Sequence, residues 1–495
     1  MKRMSVVFSM VLIFSLFFGS SPGAATSQSG AMENYIVLFK ASSVPNNAAQ
    51  TIAEAGGTLV NSYNEIGVVI ARSDNAAFRS NLLANSRVEG VSATGNFGVQ
   101  VDGGFADEGG LEAFASDQVS ASPIDDEPLG WRQWDMRQIF VPEAHAVTTG
   151  SPSVVVGDID TGVDYTHPDL APNIDFSRSV SCIGGVPDQN PDAWFDNHFH
   201  GTHTAGTIAA ADNGIGMIGV APNVKIAAIK AGNDDGYFFP EAVICAFMWA
   251  GEMGIDVTNN SYFADPWLFN CRNDAEQRAI WKAEQRAIRW AMSKGVVVVA
   301  AMGNENIDLS KRNVDTISPD FPPGSEQERE VTNACVVIPV EIPGVIGVTG
   351  NGYFLRKTYY STYGVGVAQV VAPGGDNVFQ RPQPVFPSGS ILSTIPYYFC
   401  GGPGSACYGS ASGTSMASPH VAGVAALILS QFGKMPQGRI QAAITSTADS
   451  MDCPPNPFYP GPSSAFEANC AGGSGYNGFF GHGQVNAFNA VTHTP

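Results

Sequence analysis

The chain has 495 residues, more than one ordinary domain holds, so two or three units are expected. Hydrophobic residues make up 44%, enough for a sizeable core, while 55 Gly and 32 Pro indicate many tight turns without a collagen-like period. A formal net charge of −20 argues against nucleic acid or an anionic membrane surface as partner, and is compatible with cation binding.

Lys2 and Arg3 precede an apolar run from Val6 to Phe18 that is too short to span a bilayer as a stable helix. Small residues from Gly19 to Ala25 follow, so residues 1–25 read as an export signal cut after Ala25, with an uncleaved anchor as the alternative. No later run is long and apolar enough to be transmembrane. The mature chain is therefore expected to be secreted, extracellular and free of the membrane. Eight cysteines fit an oxidising compartment, and none precedes residue 182. Cys400 with Cys407, and Cys453 with Cys470, flank Gly/Pro/Ser-rich loops and are candidate local pairs. Cys245 lies in an apolar helical stretch and reads as a buried free thiol.

After the signal, Asn34 to Lys40 reads as a strand, Ala48 to Ala55 as a helix, Gly67 to Ala71 as a strand, Ala76 to Leu83 as a helix and Val88 to Val91 as a last strand. This alternation makes a small α+β unit over residues 34–100. From 101 to 130 there are eight acidic residues and no Lys or Arg, mixed with Gly, Ser and Ala. Such a segment buries too little apolar surface to order itself and reads as a solvated linker.

From Trp131 to the end, over 131–495, strands alternate with helices, which implies parallel β-α-β units. Candidate strands are 154–160, 224–230, 255–261, 296–301, 345–349 and 369–371, apolar on both faces as a helix-covered sheet requires. Candidate helices are 200–211, 240–254, 274–294, 414–432 and 438–447. The third carries a tandem copy, AEQRAI at 275–280 and again at 283–288, offset by close to two helical turns.

Three motifs carry chemistry. In Val154-Val155-Val156-Gly157-Asp158-Ile159-Asp160-Thr161-Gly162, a strand delivers a carboxylate into a Gly turn at the sheet's C-terminal edge, where open α/β folds put their sites. His200 opens a helix in His200-Gly201-Thr202-His203-Thr204-Ala205-Gly206. In Gly413-Thr414-Ser415-Met416-Ala417-Ser418-Pro419-His420, a small-residue turn sets Ser415 on the first turn of an apolar helix, whose N-terminal N–H groups can hold an oxyanion. Ser415 is a poor nucleophile unless a base takes its proton. A neutral imidazole, ordinarily titrating near ~6.5, does so and returns the proton to the leaving amine.

Together these motifs resemble the subtilisin-like serine peptidases (subtilases), in the Asp, His, Ser order found in subtilisin itself. The resemblance implies a mostly parallel α/β sheet with helices on both faces, preceded by a small α+β inhibitory propeptide. It casts Ser415 as nucleophile, His200 as general acid/base and Asp160 as its orienting acid, with Asp158 the less fitting candidate. His203 and His420 read as structural. Val296 to Asn304 resembles the family segment whose Asn amide completes the oxyanion hole, so Asn304 takes that role. Gly303 and the strand Ser261-Tyr262-Phe263-Ala264 line the substrate cleft, although the family reads Ser-x-Gly-Gly where Phe263 and Ala264 stand here. Residues 319–343, bearing Cys335, look like an insertion.

The resemblance further implies a structural Ca²⁺ held by Asp169, the Asn213 side chain and the carbonyls of Ala211, Ile215 and Met217, with Gln133 as a further ligand. All-oxygen ligation of that kind suits calcium. The implied protein is a monomeric, secreted, autoprocessed endopeptidase acting on polypeptides, with its own propeptide as inhibitor and folding aid. A non-catalytic binding protein on the same scaffold, and a narrow processing peptidase acting on one partner peptide, are the alternatives.

Overall fold

The computed structural model describes residues 31–94, 127–263, 267–311, 313–319, 324–462 and 464–494, together with the backbone of 114–115. The N-terminal unit comprises β1 (Glu33–Phe39), α1 (Ala48–Glu54), β2 (Thr58–Tyr63), β3 (Val68–Ser73), α2 (Phe78–Leu83) and β4 (Val88–Ala93). Its strands pair antiparallel in the order β2-β3-β1-β4. Successive side chains of a strand point to opposite faces. Tyr35, Val37, Phe39, Val69 and Ala71 accordingly pack on Ile52, Phe78 and Leu82 of the unit's own helices. Ile36, Leu38, Val68 and Ile70 point the other way and join the core of the larger unit. A sheet apolar on both faces needs two covering layers, and the second belongs to the larger unit. Strand β2 escapes sequence reading because its Thr, Asn and Ser are only half-buried.

The larger unit is built on seven parallel strands: β5 (Val155–Asp160), β6 (Val180–Ser181), β7 (Lys225–Lys230), β8 (Val257–Asn260), β9 (Val297–Ala301), β10 (Ile346–Asn351) and β11 (Ala368–Pro373). They run in the order β11-β10-β9-β8-β5-β7-β6. Two apolar clusters cover the opposite faces of this sheet. On one side lie α4 (Pro240–Glu252) and α5 (Ala275–Ser293), which also carry the N-terminal sheet. On the other lie α3 (His200–Ala209) and α6 (Thr414–Phe432), the latter buried from Thr414 to Leu429. No single helix among the described residues is long and apolar enough to cross a membrane.

The tandem copy works as the period predicts. Ala279 and Ala287, and Ile280 and Ile288, all fall on the buried face of α5. Asp274 caps the helix by accepting the N–H groups of Glu276 and Gln277, both at 2.9 Å.

All eight cysteines pair. Cys400–Cys407 and Cys453–Cys470 form as expected. Cys245 is no free thiol, because it bridges from within α4 to Cys182. Cys271–Cys335 ties the 319–343 excursion to the segment just before α5, where Asn270–Cys271 pairs antiparallel with Cys335–Val336. The signal region and most of the acidic linker lie outside the described residues. The linker's last residues do not: Glu127 and Leu129 are buried in the larger unit, which therefore begins before the expected Trp131.

Candidate active site

Strand β5 ends at Asp160, and the turn that follows needs Gly162, whose φ is +109° and where a Cβ would lie 2.5 Å from the Trp194 carbonyl oxygen. Across it, α3 begins at His200. The helix comes close because Gly201 has no side chain: a Cβ there would lie 2.1 Å from the Gly162 carbonyl oxygen and 3.1 Å from the Asp160 Cβ. The outcome is a 2.8 Å contact between Asp160 Oδ1 and His200 Nδ1, with both side chains fully buried. Asp160 Oδ1 also accepts the Thr161 N–H at 2.7 Å. A carboxylate on Nδ1 fixes the proton there and leaves Nε2 as the basic nitrogen. His200 Nε2 has no hydrogen-bond partner.

Asp158, two residues earlier on the same strand face, takes another part. Its carboxylate accepts the Thr204 hydroxyl at 2.7 Å and the Asn259 amide at 2.9 Å. Burial pushes its pKa well above the carboxylate range, and the neighbouring Asp160 charge adds to the rise. It braces α3 and β8 rather than an imidazole.

Ser415 stands on the first turn of α6. Pro419 lies four residues on and has no N–H to give the Ser415 carbonyl, so the usual helical bond is missing. Ser261, just past β8, supplies the donor instead, its hydroxyl giving to that carbonyl at 2.9 Å. The Ser415 hydroxyl in turn donates to the Ser261 carbonyl at 3.1 Å. Ser415 is thus bracketed by the strand expected to receive substrate. Its hydroxyl is turned to Ser261 and not to His200, so general-base contact requires a side-chain rotation; such bonds commonly tighten only with substrate present.

Asn304 follows β9. Its Oδ1 accepts both the Thr414 N–H at 2.9 Å and the Thr414 hydroxyl at 3.0 Å, and that hydroxyl accepts the Gly303 N–H at 3.1 Å. Anchored through its oxygen, the amide turns Nδ2 towards the Gly413–Ser415 turn. A Cβ built on Gly413 would lie 3.5 Å from Asn304 Nδ2 and 3.6 Å from the Ser415 nitrogen. Two N–H donors therefore converge on space that any larger residue at 413 would fill, the arrangement an oxyanion needs.

The family model of the subtilases matches residues 151–483, two thirds of the chain and all three motifs. The chain belongs to the subtilase family. Subtilisin NAT of Bacillus subtilis subsp. natto is 28% identical over 461 residues, covering 92% of this chain and 95% of the relative. The thermophilic serine proteinase of Bacillus sp. (strain AK1) is 30% identical over 459 residues, covering 92% and 87%. Among solved structures, the epidermin leader peptide processing serine protease of Staphylococcus aureus superposes with a TM-score of 0.68 at 21% identity, over 93% of this chain and 98% of that one. Fervidolysin of Fervidobacterium pennivorans, a keratinolytic enzyme related to subtilisin, gives 0.60 at 21%, over 95% and 62%. The protein is a subtilisin-like serine endopeptidase with the fold its motifs implied.

Within this subtilase, Tyr262 turns inward: its ring stacks on Phe238 at 4.3 Å and 9°, and its hydroxyl donates to Asn260 at 3.0 Å. Phe263 is partly buried against the core, and Ala264 lies outside the described residues. His420 and His203 are structural: His420 bonds Asp135 at 3.0 Å and the Met416 carbonyl at 2.7 Å, and His203 meets the Ile391 carbonyl at 3.2 Å. Sequence reading missed Thr414 as the anchor of Asn304, although it stands inside the Gly-Thr-Ser motif.

Subtilases commonly bind structural calcium, and the expected ligands fit a cation in part. Asp169 is fully buried and its Oδ1 has no partner, as a cation ligand requires. Asn213 Oδ1 accepts the Ile215 N–H at 3.0 Å. Gln133 fits less well, since its amide spans Ile218, accepting that N–H at 3.1 Å and donating to that carbonyl at 2.7 Å. Among the described residues, no group of three or more His, Cys, Asp or Glu is arranged around a metal.

Proposed function

We propose that this subtilase cleaves peptide bonds through an acyl-enzyme on Ser415. His200 takes the serine proton through Nε2 and passes it to the leaving amine, while Asp160 holds the imidazole tautomer and steadies its charged form. Asn304 Nδ2 and the Ser415 N–H receive the oxyanion. The observation that carries this reading is the buried Asp160–His200 contact, which leaves the far imidazole nitrogen open. A protein kept only for binding has no chemical need of that pair together with Ser415 and Asn304.

The enzyme is made as a secreted zymogen, with residues 1–25 removed on export and residues 34–100 acting as inhibitor and folding aid. The fit of the N-terminal sheet on α4 and α5 supports this, as does full pairing of eight cysteines. Maturation is self-catalysed within the acidic linker, and the mature protein is a monomer. Calcium stabilises it through Asp169, Asn213 and the carbonyls of Ala211, Ile215 and Met217. The ion supplies structural charge and takes no part in the reaction.

The deciding experiment follows the zymogen. Ser415→Ala should accumulate the form that still carries residues 34–100, whereas normal maturation of that variant means another protease makes the cut. A narrower reading, a processing peptidase for one partner peptide, draws support from Phe263 standing where the family has Gly. Broad cleavage of denatured casein would argue against that narrower reading.

A further inference from the structure

The residue that leads into α3 is Phe199, and its backbone has φ +139° and ψ −30°. A residue with a Cβ is disfavoured at such a φ, which is open chiefly to glycine. Among the described residues, the other non-glycine residues with positive φ are Phe140, Asn306 and Leu355, at 61°, 55° and 59°. Those three sit in the ordinary left-handed well, and Phe199 does not. Strain of this kind persists only where the surroundings over-determine it. Here it stands one residue before His200.

Two sets of contacts hold it. Through the backbone, Phe199 gives its N–H to Asp196 Oδ1 at 3.1 Å, and its carbonyl takes the His203 N–H at 3.0 Å. The ring is buried: it stacks on His198 at 5.0 Å and 27°, and meets Phe399 edge-on at 6.3 Å. It also packs with Ile395 and Cys407, which face each other at the end of a hairpin formed by Ile391–Ile395 and Cys407–Ala411. The Cys400–Cys407 bridge closes the turn that carries Phe399. The same hairpin grips the first turn of α3, the Ser393 hydroxyl giving to the His203 carbonyl at 2.6 Å and the Thr394 hydroxyl to the Thr202 carbonyl at 2.7 Å.

We propose that Phe199 is a positioning residue for the general base: the 391–411 hairpin, closed by Cys400–Cys407, clamps its ring and so holds a backbone turn that keeps the His200 imidazole against Asp160. This rests on the mechanism proposed above and adds to it the element that sets the base in place. The clamp is needed only because residue 199 has a side chain. A glycine would adopt the same turn without it.

The test compares mature enzymes made from the full chain by kcat and KM on one peptide substrate, by the rate of Ser415 phosphonylation and by unfolding temperature. Phe199→Ala keeps the Cβ and loses the ring, so the turn relaxes. Its kcat and phosphonylation rate should fall on the order of 10–10²-fold with little change in KM, the scale for a catalytic group displaced by about 1 Å. Phe199→Gly also loses the ring but favours the turn, and should keep most of the activity while being no more stable than Phe199→Ala. Equal kcat in the two variants, whether high or low, overturns the proposal, because a ring that only fills the core gives no preference for glycine. Phe399 is 37% exposed, so Phe399→Ala loosens the clamp without opening the core. That change, and Cys400→Ala combined with Cys407→Ala, should lower kcat in the parent and leave it unchanged in Phe199→Gly; the same loss in both backgrounds overturns the clamp. If the parent neither hydrolyses peptides nor labels at Ser415, the catalytic reading falls and this inference with it. An active parent matched by an equally active Phe199→Ala removes this inference alone.

Discussion

Asp160 Oδ1 lies 2.8 Å from His200 Nδ1, while Asp158, one pleat away on the same strand, meets only Thr204 and Asn259. In the proposed mechanism Asp160 orients the base, while Asp158 braces the scaffold. Asp160→Asn should therefore lower kcat by about 10⁴, the scale seen when an orienting Asp of a serine protease is changed to Asn. Asp158→Asn should keep most activity and lose about 1–3 kcal/mol of stability from mismatched buried hydrogen bonds. Steady-state kinetics and denaturant unfolding of the two variants separate these roles, and equal loss of activity in both would contradict them.

Asn304 is held through its oxygen by Thr414, which leaves the amide nitrogen for the reaction. Asn304→Ala should reduce kcat on the order of 10²–10³ with little change in KM, a magnitude known from subtilisin, a member of the same family. Thr414→Val should show a smaller loss of the same kind, because Asn304 would stay but lose an anchor. A KM effect without a kcat effect would move Asn304 out of the oxyanion role.

Two buried histidines set an acid limit. Burial lowers the pKa of His167 to about 4 and that of His203 to about 3. In the unfolded chain each takes up a proton near ~6.5, so the unfolded state binds more protons between that pH and 3–4. Their contribution is complete above about 6.5 and is lost as pH falls through the window. Unfolding temperature of the Ser415→Ala protein should drop steadily from pH 6.5 to 4, and His203→Gln should flatten that slope. A flat profile would show that these imidazoles carry protons when folded.

Arg286, from the second AEQRAI copy, gives Nη1 to the carbonyls of Phe39, Ile66 and Ala41 at 3.0, 2.9 and 3.3 Å. Its Nη2 and Lys282 both hold Glu89. Charged donors lost from a part-buried interface cost about 1.5–3 kcal/mol each. Arg286→Ala should therefore weaken binding of a separately made 31–94 fragment to the mature enzyme by at least about 10-fold. Unchanged inhibition by that fragment would mean the apolar faces alone hold it.

Most of the parallel sheet was legible because β5, β7 and β9 are rich in Val, Ile and Ala, while the two-residue β6 was too short to read, and α6 matches its predicted span from Thr414 to Phe432. The motifs around Asp160 and His200 were legible because the glycines beside them, Gly162 and Gly201, leave no room for a side chain. Partnerships made by distant segments were not. Cys245 finds Cys182 across 63 residues, and an apolar helix gives no sign of such a bridge. Glu127 stands in an acidic run, so composition assigned it to solvent, although Leu129 and the 211–217 loop draw it inside. The strand that leads to Ser261 was legible, but the Ser261 bond to the Ser415 carbonyl follows only from the missing N–H of Pro419.

The most direct measurement is covalent labelling of the folded mature enzyme by a fluorophosphonate probe, with the modified residue identified by peptide mass spectrometry. A serine activated by His200 and Asp160 should be phosphonylated at Ser415 alone, and His200→Ala should suppress the labelling. Failure of the folded wild-type protein to react, or reaction at a different serine, would contradict the assignment of Ser415 as nucleophile.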